Sequence, residues 1–65
     1  MRELITVGTF PITGRGTAHS VYVGDSPPEL GELVMLDGQT CVVTGVEWPI
    51  SSQGYTAILA TPTPS

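Results

Sequence analysis

Apolar and polar positions alternate with a period of two along most of this chain, and glycine and proline interrupt the alternation every few residues. Period two places successive side chains on opposite faces of a strand. The pattern predicts six strands. Residues 2–7 form the first, with Leu4 and Thr6 on one face and Ile5 and Val7 on the other. Gly8 marks a bulge or bend. Residues 9–13 form the second, and Pro11 within it implies an edge position or a missing ladder bond, because proline has no N–H. Gly14-Arg15-Gly16 is a tight turn in which glycine supplies positive φ. Residues 17–23 form the third strand, with Ala18, Ser20 and Tyr22 alternating against Thr17, His19, Val21 and Val23. A loop stiffened by Pro27-Pro28 covers 24–31. Residues 32–36 form the fourth strand, Asp37-Gly38 is a two-residue hairpin signal, and 39–47 form the fifth and longest strand. A turn-rich connection over 49–54 leads to the sixth, 55–61. The remainder, 62–65, reads as a disordered proline-rich tail.

Eight glycines and six prolines leave few windows long enough for a helix. The abundant β-branched residues favour strands. The fold class is therefore all-β, with one domain over 1–61. Two full sheets do not fit into 65 residues. A small six-stranded antiparallel β-barrel does, and closure removes the edges on which strands aggregate. A chain of this size buries only about 60% of the surface its unfolded form exposes. Cys41 is the only cysteine and His19 the only histidine, so neither a disulfide nor a structural zinc site reinforces the core. Stability falls to the core, the turns, and self-association or docking.

Charge narrows the partners. Arg2 and Arg15 stand against six carboxylates, for a formal net charge of −4. Nucleic-acid affinity comes mainly from neutralised phosphates, and two arginines neutralise few. Direct binding of nucleic acid or of an anionic membrane is disfavoured. A basic protein partner suits the charge, and so does solubility alone. No apolar run approaches the roughly 20 residues of a membrane helix. No signal-peptide pattern opens the chain, so a cytoplasmic location is the expectation, and the lone cysteine agrees with it.

Phe10-Pro11-Ile12-Thr13-Gly14-Arg15-Gly16-Thr17 resembles the start of the second domain of elongation factor Tu and related translational GTPases, whose pattern is Phe-x-Ile-x-Gly-Arg-Gly-Thr. Leu30-Gly31-Glu32-x-Val34 is similar to that family's Val-Gly-Glu-x-Val, at the family's spacing. Thr44-Gly45-Val46-Glu47 is a third match. The three fall in the family's order over roughly residues 5 to 60. The resemblance implies a six-stranded antiparallel barrel, in agreement with the alternation. It also implies binding roles: Phe10 near the pocket for the aminoacylated end of tRNA, Glu47 at its terminal ribose, and Arg15 with Gly16 and Thr17 in the turn that faces the GTPase domain. Three departures stand out. There is no phosphate-binding Gly-x-x-x-x-Gly-Lys loop and no lysine at all. The basic residues that follow Gly-Arg-Gly-Thr in the family are replaced by Val21, Tyr22, Val23 and Gly24, which argues against tRNA binding. The family's last barrel strand is expected to be shortened or lost, which would leave closure incomplete.

The residues themselves offer little catalytic chemistry. His19 and Ser20 are neighbours on a strand and point to opposite faces, so they form no nucleophile–base pair. Cys41 has no basic neighbour in sequence to lower its pKa and reads as a small core residue. The carboxylates lack a calcium-loop spacing, and no metal or other cofactor is expected. Glu47-Trp48-Pro49 is the most informative segment. An exposed Trp48 would anchor a partner, and a buried one would cap the barrel. Arg15, at a hairpin tip, is either solvated or a contact. The expected function is a non-catalytic binding module that meets a protein or ribonucleoprotein through Phe10, Arg15, Gly16, Thr17, Glu47 and Trp48. The alternative is a structural or self-assembling subunit of a larger particle, with homo-oligomer contacts.

Overall fold

In the computed structural model, which describes residues 1–63, the alternation produces six strands: β1 (Arg2–Leu4), β2 (Thr6–Ile12), β3 (Gly16–Tyr22), β4 (Leu33–Leu36), β5 (Gln39–Val46) and β6 (Tyr55–Pro62). No helix occurs among the described residues, and hence none long and apolar enough to cross a membrane. The strands form one sheet in the order β1-β4-β5-β6-β3-β2. It curls into an open half-barrel, an incompletely closed small β-barrel.

The two edge strands, β1 and β2, are consecutive in the chain and are separated only by Ile5. One extended run thus enters at one edge of the sheet and leaves at the other, which forces the sheet to curl until its edges approach. This corrects the expected first strand: residues 2–7 share one alternation but not one neighbour. It also corrects the expectation of antiparallel pairing throughout. β1 lies parallel to β4, with Arg2 opposite Val34 and Leu4 opposite Leu36. The crossing at Ile5 changes the neighbour without reversing the chain, so the path fixes the direction. The alternation itself survives the crossing: Leu4 is buried, Thr6 is half-buried, and Ile5 and Val7 face solvent.

Asp37 clasps the crossing. It is the first residue of the Asp37-Gly38 hairpin, and both adopt positive φ, 51° and 85°, as a two-residue turn of this kind requires. The Asp37 N–H donates to the Leu4 carbonyl at 3.1 Å. Its Oδ1 accepts the Thr6 N–H at 2.8 Å. One residue therefore holds the chain on both sides of Ile5. The Thr6 main-chain donor lowers the Asp37 pKa below its ordinary value of 3.8. The Thr6 hydroxyl adds to the shift, although its buried oxygen stands outside hydrogen-bond geometry.

Two irregularities shape the curl. The register between β2 and β3 shifts at Thr6/Gly8, where the bulge was expected, and that between β5 and β6 shifts at Val43/Gly45. Such bulges bend a strand and increase its twist. β2 is an edge strand, as Pro11 requires. Residues 62 and 63, expected to belong to the tail, are instead paired with β5. β6 runs through Pro62, and the Thr63 N–H donates to the Thr40 carbonyl at 3.0 Å. The rest of the expected tail, 64–65, lies outside the described residues.

The sheet buries apolar side chains on both faces. Inside the curl lie Leu4, Val21, Val23, Val34, Leu36, Cys41, Val43 and Ile58. Cys41 is a buried free thiol, in its expected core role. Ile50, from the 49–54 connection, packs against this cluster and covers one end. Gly54 joins that connection to β3. Its carbonyl accepts the N–H groups of Val23 at 2.8 Å and Gly24 at 3.0 Å. At a φ of +88° a Cβ there would come within 2.8 Å of the Tyr22 ring and 3.2 Å of the Gly24 Cα, so only glycine fits. The outer face carries a smaller cluster, Ala18, Ala57 and Leu59, with Phe10 and Ile12 against it.

The clasp gives a pH dependence of defined sign. Because folding depresses the Asp37 pKa, its contribution is fully present above the ordinary value of 3.8 and is lost as pH falls through the lower folded-state value. Asp37→Asn keeps an acceptor and tolerates positive φ but removes the charge. The gap in melting temperature between wild type and Asp37→Asn is expected to be constant from pH 7 to pH ~5 and to shrink below pH ~4. Thermal melts in low salt across that range check it.

Candidate functional site

Strand parity sorts the side chains. His19 stands opposite Ile58, of the inner cluster, and Ser20 opposite Ala57, of the outer one. The two neighbours therefore lie on opposite faces, as their adjacency dictates. The same parity sends Tyr22, opposite Tyr55, and Phe10, opposite Ala18, to the outer face. Trp48 joins them from the connection after β5. All four aromatic residues of the chain, Phe10, Tyr22, Trp48 and Tyr55, thus stand outside the curl, and the inner core contains none.

They meet as two pairs. The Phe10 and Trp48 rings pack edge to face with centroids 5.3 Å apart. Tyr22 and Tyr55 repeat that geometry, also at 5.3 Å. Edge-to-face contact sets the positive rim of one ring against the negative face of the other, which fixes both. Trp48 is nevertheless 47% exposed and Tyr22 57% exposed. Trp48 is therefore exposed and does not cap the barrel, and Ile50 of the same connection packs against the inner cluster. The Trp48 segment is tied to β6 at two points. The Glu47 N–H donates to the Ala57 carbonyl at 2.8 Å, and the buried Thr56 hydroxyl donates to the Trp48 carbonyl.

Arg15 and Glu47 form a fork-to-fork ion pair beside these rings. Arg15 Nη1 lies 2.6 Å from Oε1, and Nη2 donates to Oε2 at 3.0 Å. The Glu47 side chain is only 9% exposed. A carboxylate so withdrawn from water needs its bidentate partner. Gly45 makes the space, since a Cβ there would lie 2.8 Å from Glu47 Oε2 and 3.4 Å from the Leu59 side chain. Arg15 reaches back because its turn is tight: the Arg15 N–H donates to the Ile12 carbonyl at 2.9 Å, with Gly14 at a φ of 78°. The tip arginine is therefore neither free nor simply solvated. It is tied down, and it in turn immobilises the start of the Glu47-Trp48 corner.

The fold thus brings together Phe10, Arg15, Glu47 and Trp48 from three separate stretches of sequence. It does not bring Thr17 to them. Thr17 stands opposite Pro11, on the other face from Phe10. Gly16, at a φ of 94°, serves the turn geometry. Tyr22, Tyr55, Ser51 and Asp25 were not among the expected site residues. The parity of Ala18, Ser20 and Tyr22 was legible, but its continuity with Phe10 needed the β2–β3 register, and Tyr55 needed the β3–β6 pairing. A shallow recess of about 280 Å³ lies between Phe10, Trp48, Pro49 and Tyr55, with Ser20 and Ser51 at its rim. A second, more polar recess of about 590 Å³ adjoins it at Ser51 and runs past Tyr22 to Asp25. No cluster of three or more metal-ligating side chains occurs among the described residues.

The ring contact has a measurable value. A double-mutant cycle on Phe10→Leu and Trp48→Leu is expected to give a coupling of about 1 kcal/mol in urea denaturation. Additive losses would mean that the rings do not meet in solution. Comparison with protein-family models, with curated proteins and with solved structures finds no match to this chain.

Proposed function

We propose that the chain is a non-catalytic binding module that docks on a protein or ribonucleoprotein partner through its outer aromatic face. The observation that carries this reading is the placement of every Phe, Tyr and Trp side chain outside the inner core. Large rings contribute most to a core when buried. A domain this small, with an inner core of aliphatic residues and one cysteine, leaves Tyr22 and Trp48 largely in solvent. Exposed, rigidly held Trp and Tyr are the side chains that anchor interfaces. Their order is fixed in advance by edge-to-face packing and by the Arg15–Glu47 fork, which lowers the entropy lost on binding.

The resemblance to the second-domain barrel of translational GTPases supports a docking role, since that barrel works by contact and not by catalysis. In this chain both oxygens of Glu47 are engaged by Arg15, so the glutamate organises the surface instead of receiving a ribose. The net charge of −4 favours a protein surface over bare nucleic acid. A cytoplasmic setting fits the buried free thiol.

One observation favours self-assembly as a second reading. The edge strand β2 carries no charged residue, and charge is a common guard against edge pairing. Affinity capture from native lysate with the full chain, beside Trp48→Ala and Thr9→Lys, separates the two. Docking through the aromatic face predicts that capture falls more than about tenfold in Trp48→Ala and is unchanged in Thr9→Lys. Loss in Thr9→Lys alone, together with concentration-dependent sedimentation of the wild type, supports assembly through the edge. Equal capture by all three chains removes the docking reading.

A further inference from the structure

We infer that the outer face accepts a proline-rich segment of a protein partner that carries an arginine or lysine. The inference rests on the docking role proposed above and names the chemistry of its partner. The two recesses meet at Ser51 and at the Tyr22–Tyr55 pair, and a bound segment that spans both crosses from one character to another. At one end are Phe10, Trp48 and Tyr55, at the middle Ser51, and at the other end Tyr22 and Asp25.

The aromatic end is shallow and flanked by rigid rings. A deep pocket would suit a branched aliphatic side chain. A shallow aromatic trough suits the flat ring of proline and the extended, already ordered polyproline helix, which loses little entropy on docking. The serine hydroxyls at the rim can donate to the carbonyls of such a segment, whose backbone is unpaired in its free state.

Charge complementarity sets the other end. Both arginines are engaged within the chain, Arg15 with Glu47 and Arg2 with Glu32 at 3.4 Å. Asp25, in contrast, makes no ion pair among the described residues, and it lines the trough beside the 57%-exposed Tyr22. A carboxylate next to an exposed ring is a matched pair of attractions for a guanidinium or ammonium group. The overall charge of −4 attracts the same ligand at long range. Polyanions are repelled by it.

Fluorescence anisotropy tests the inference with the full chain and three labelled probes: a ten-residue proline-rich peptide with two arginines at one end, the same peptide with glutamates in their place, and a uridine decanucleotide. The arginine peptide is expected to bind saturably, more weakly as salt rises, and the other two not at all. Asp25→Asn should weaken it about fivefold, while Glu29→Gln, an equal change of charge at an exposed residue that lines neither recess, should leave it unchanged. Asp25 is exposed in a loop, so this variant tests the trough without disturbing the core. Chemical-shift changes should fall on Tyr22, Trp48 and Tyr55. Equal binding of both peptides, equal weakening by the two charge variants, or binding of the oligonucleotide alone overturns the inference. So does absence of peptide binding by a chain whose lysate capture depends on Trp48, an outcome that leaves the docking role standing.

Discussion

The structure depends on a single-residue crossing. Ile5 is all that separates the parts of the chain that form the two edges of the sheet, and Asp37 ties it down from both sides. Were β1 and β2 not joined through this one residue, the two edges of the sheet would be free to lie apart. With that link, the layer must roll, and the rolled interior becomes the only place where the chain can hide a continuous apolar cluster. The crossing also acts as a ruler. An added residue there would shift β1 by one position against β4 and turn Leu4 from the core to the solvent.

Rolling explains the division between the faces. The interior is narrow, and it is filled by Val, Leu, Ile and Cys side chains of modest volume. The Phe, Tyr and Trp rings stand outside it. There Phe10 packs against the cluster of Ala18, Ala57 and Leu59 on β3 and β6. The burial of β6 on both faces, from Thr56 to Leu59, makes it the central element of the fold. Its outer side is the platform for the aromatic pairs and its inner side the middle of the core. The site and the core therefore share a strand, and the rigidity of one is inherited by the other.

Much of this was legible in the alternation and its interruptions. Asp37-Gly38, Gly14, the bulge at Gly8 and the edge position of Pro11 all follow from local backbone chemistry, which sequence displays directly. The crossing at Ile5 was not legible. Ile5 is β-branched and continues the alternation of its neighbours, so no local feature distinguishes one strand from two. Only the partner thirty residues away decides it. The same holds for the site. Trp48 could be singled out as the one indole, beside a glutamate at a strand end. That Arg15 would reach Glu47 depended on the void at Gly45, and that Tyr22 and Tyr55 would extend the surface depended on strand registers. Residues that act through pairing over long sequence separations leave no periodic trace.

The placement of every Phe, Tyr and Trp ring outside the interior has a consequence for what light reports about this molecule. The indole and both phenols sense the outer surface and its immediate solvent, while the packed centre is spectroscopically silent. A change in intrinsic emission on adding another molecule would register an event at the surface, even if it were taken for a loss of folded structure. Conversely, loosening of the aliphatic centre could pass unseen until the sheet beneath the rings gives way.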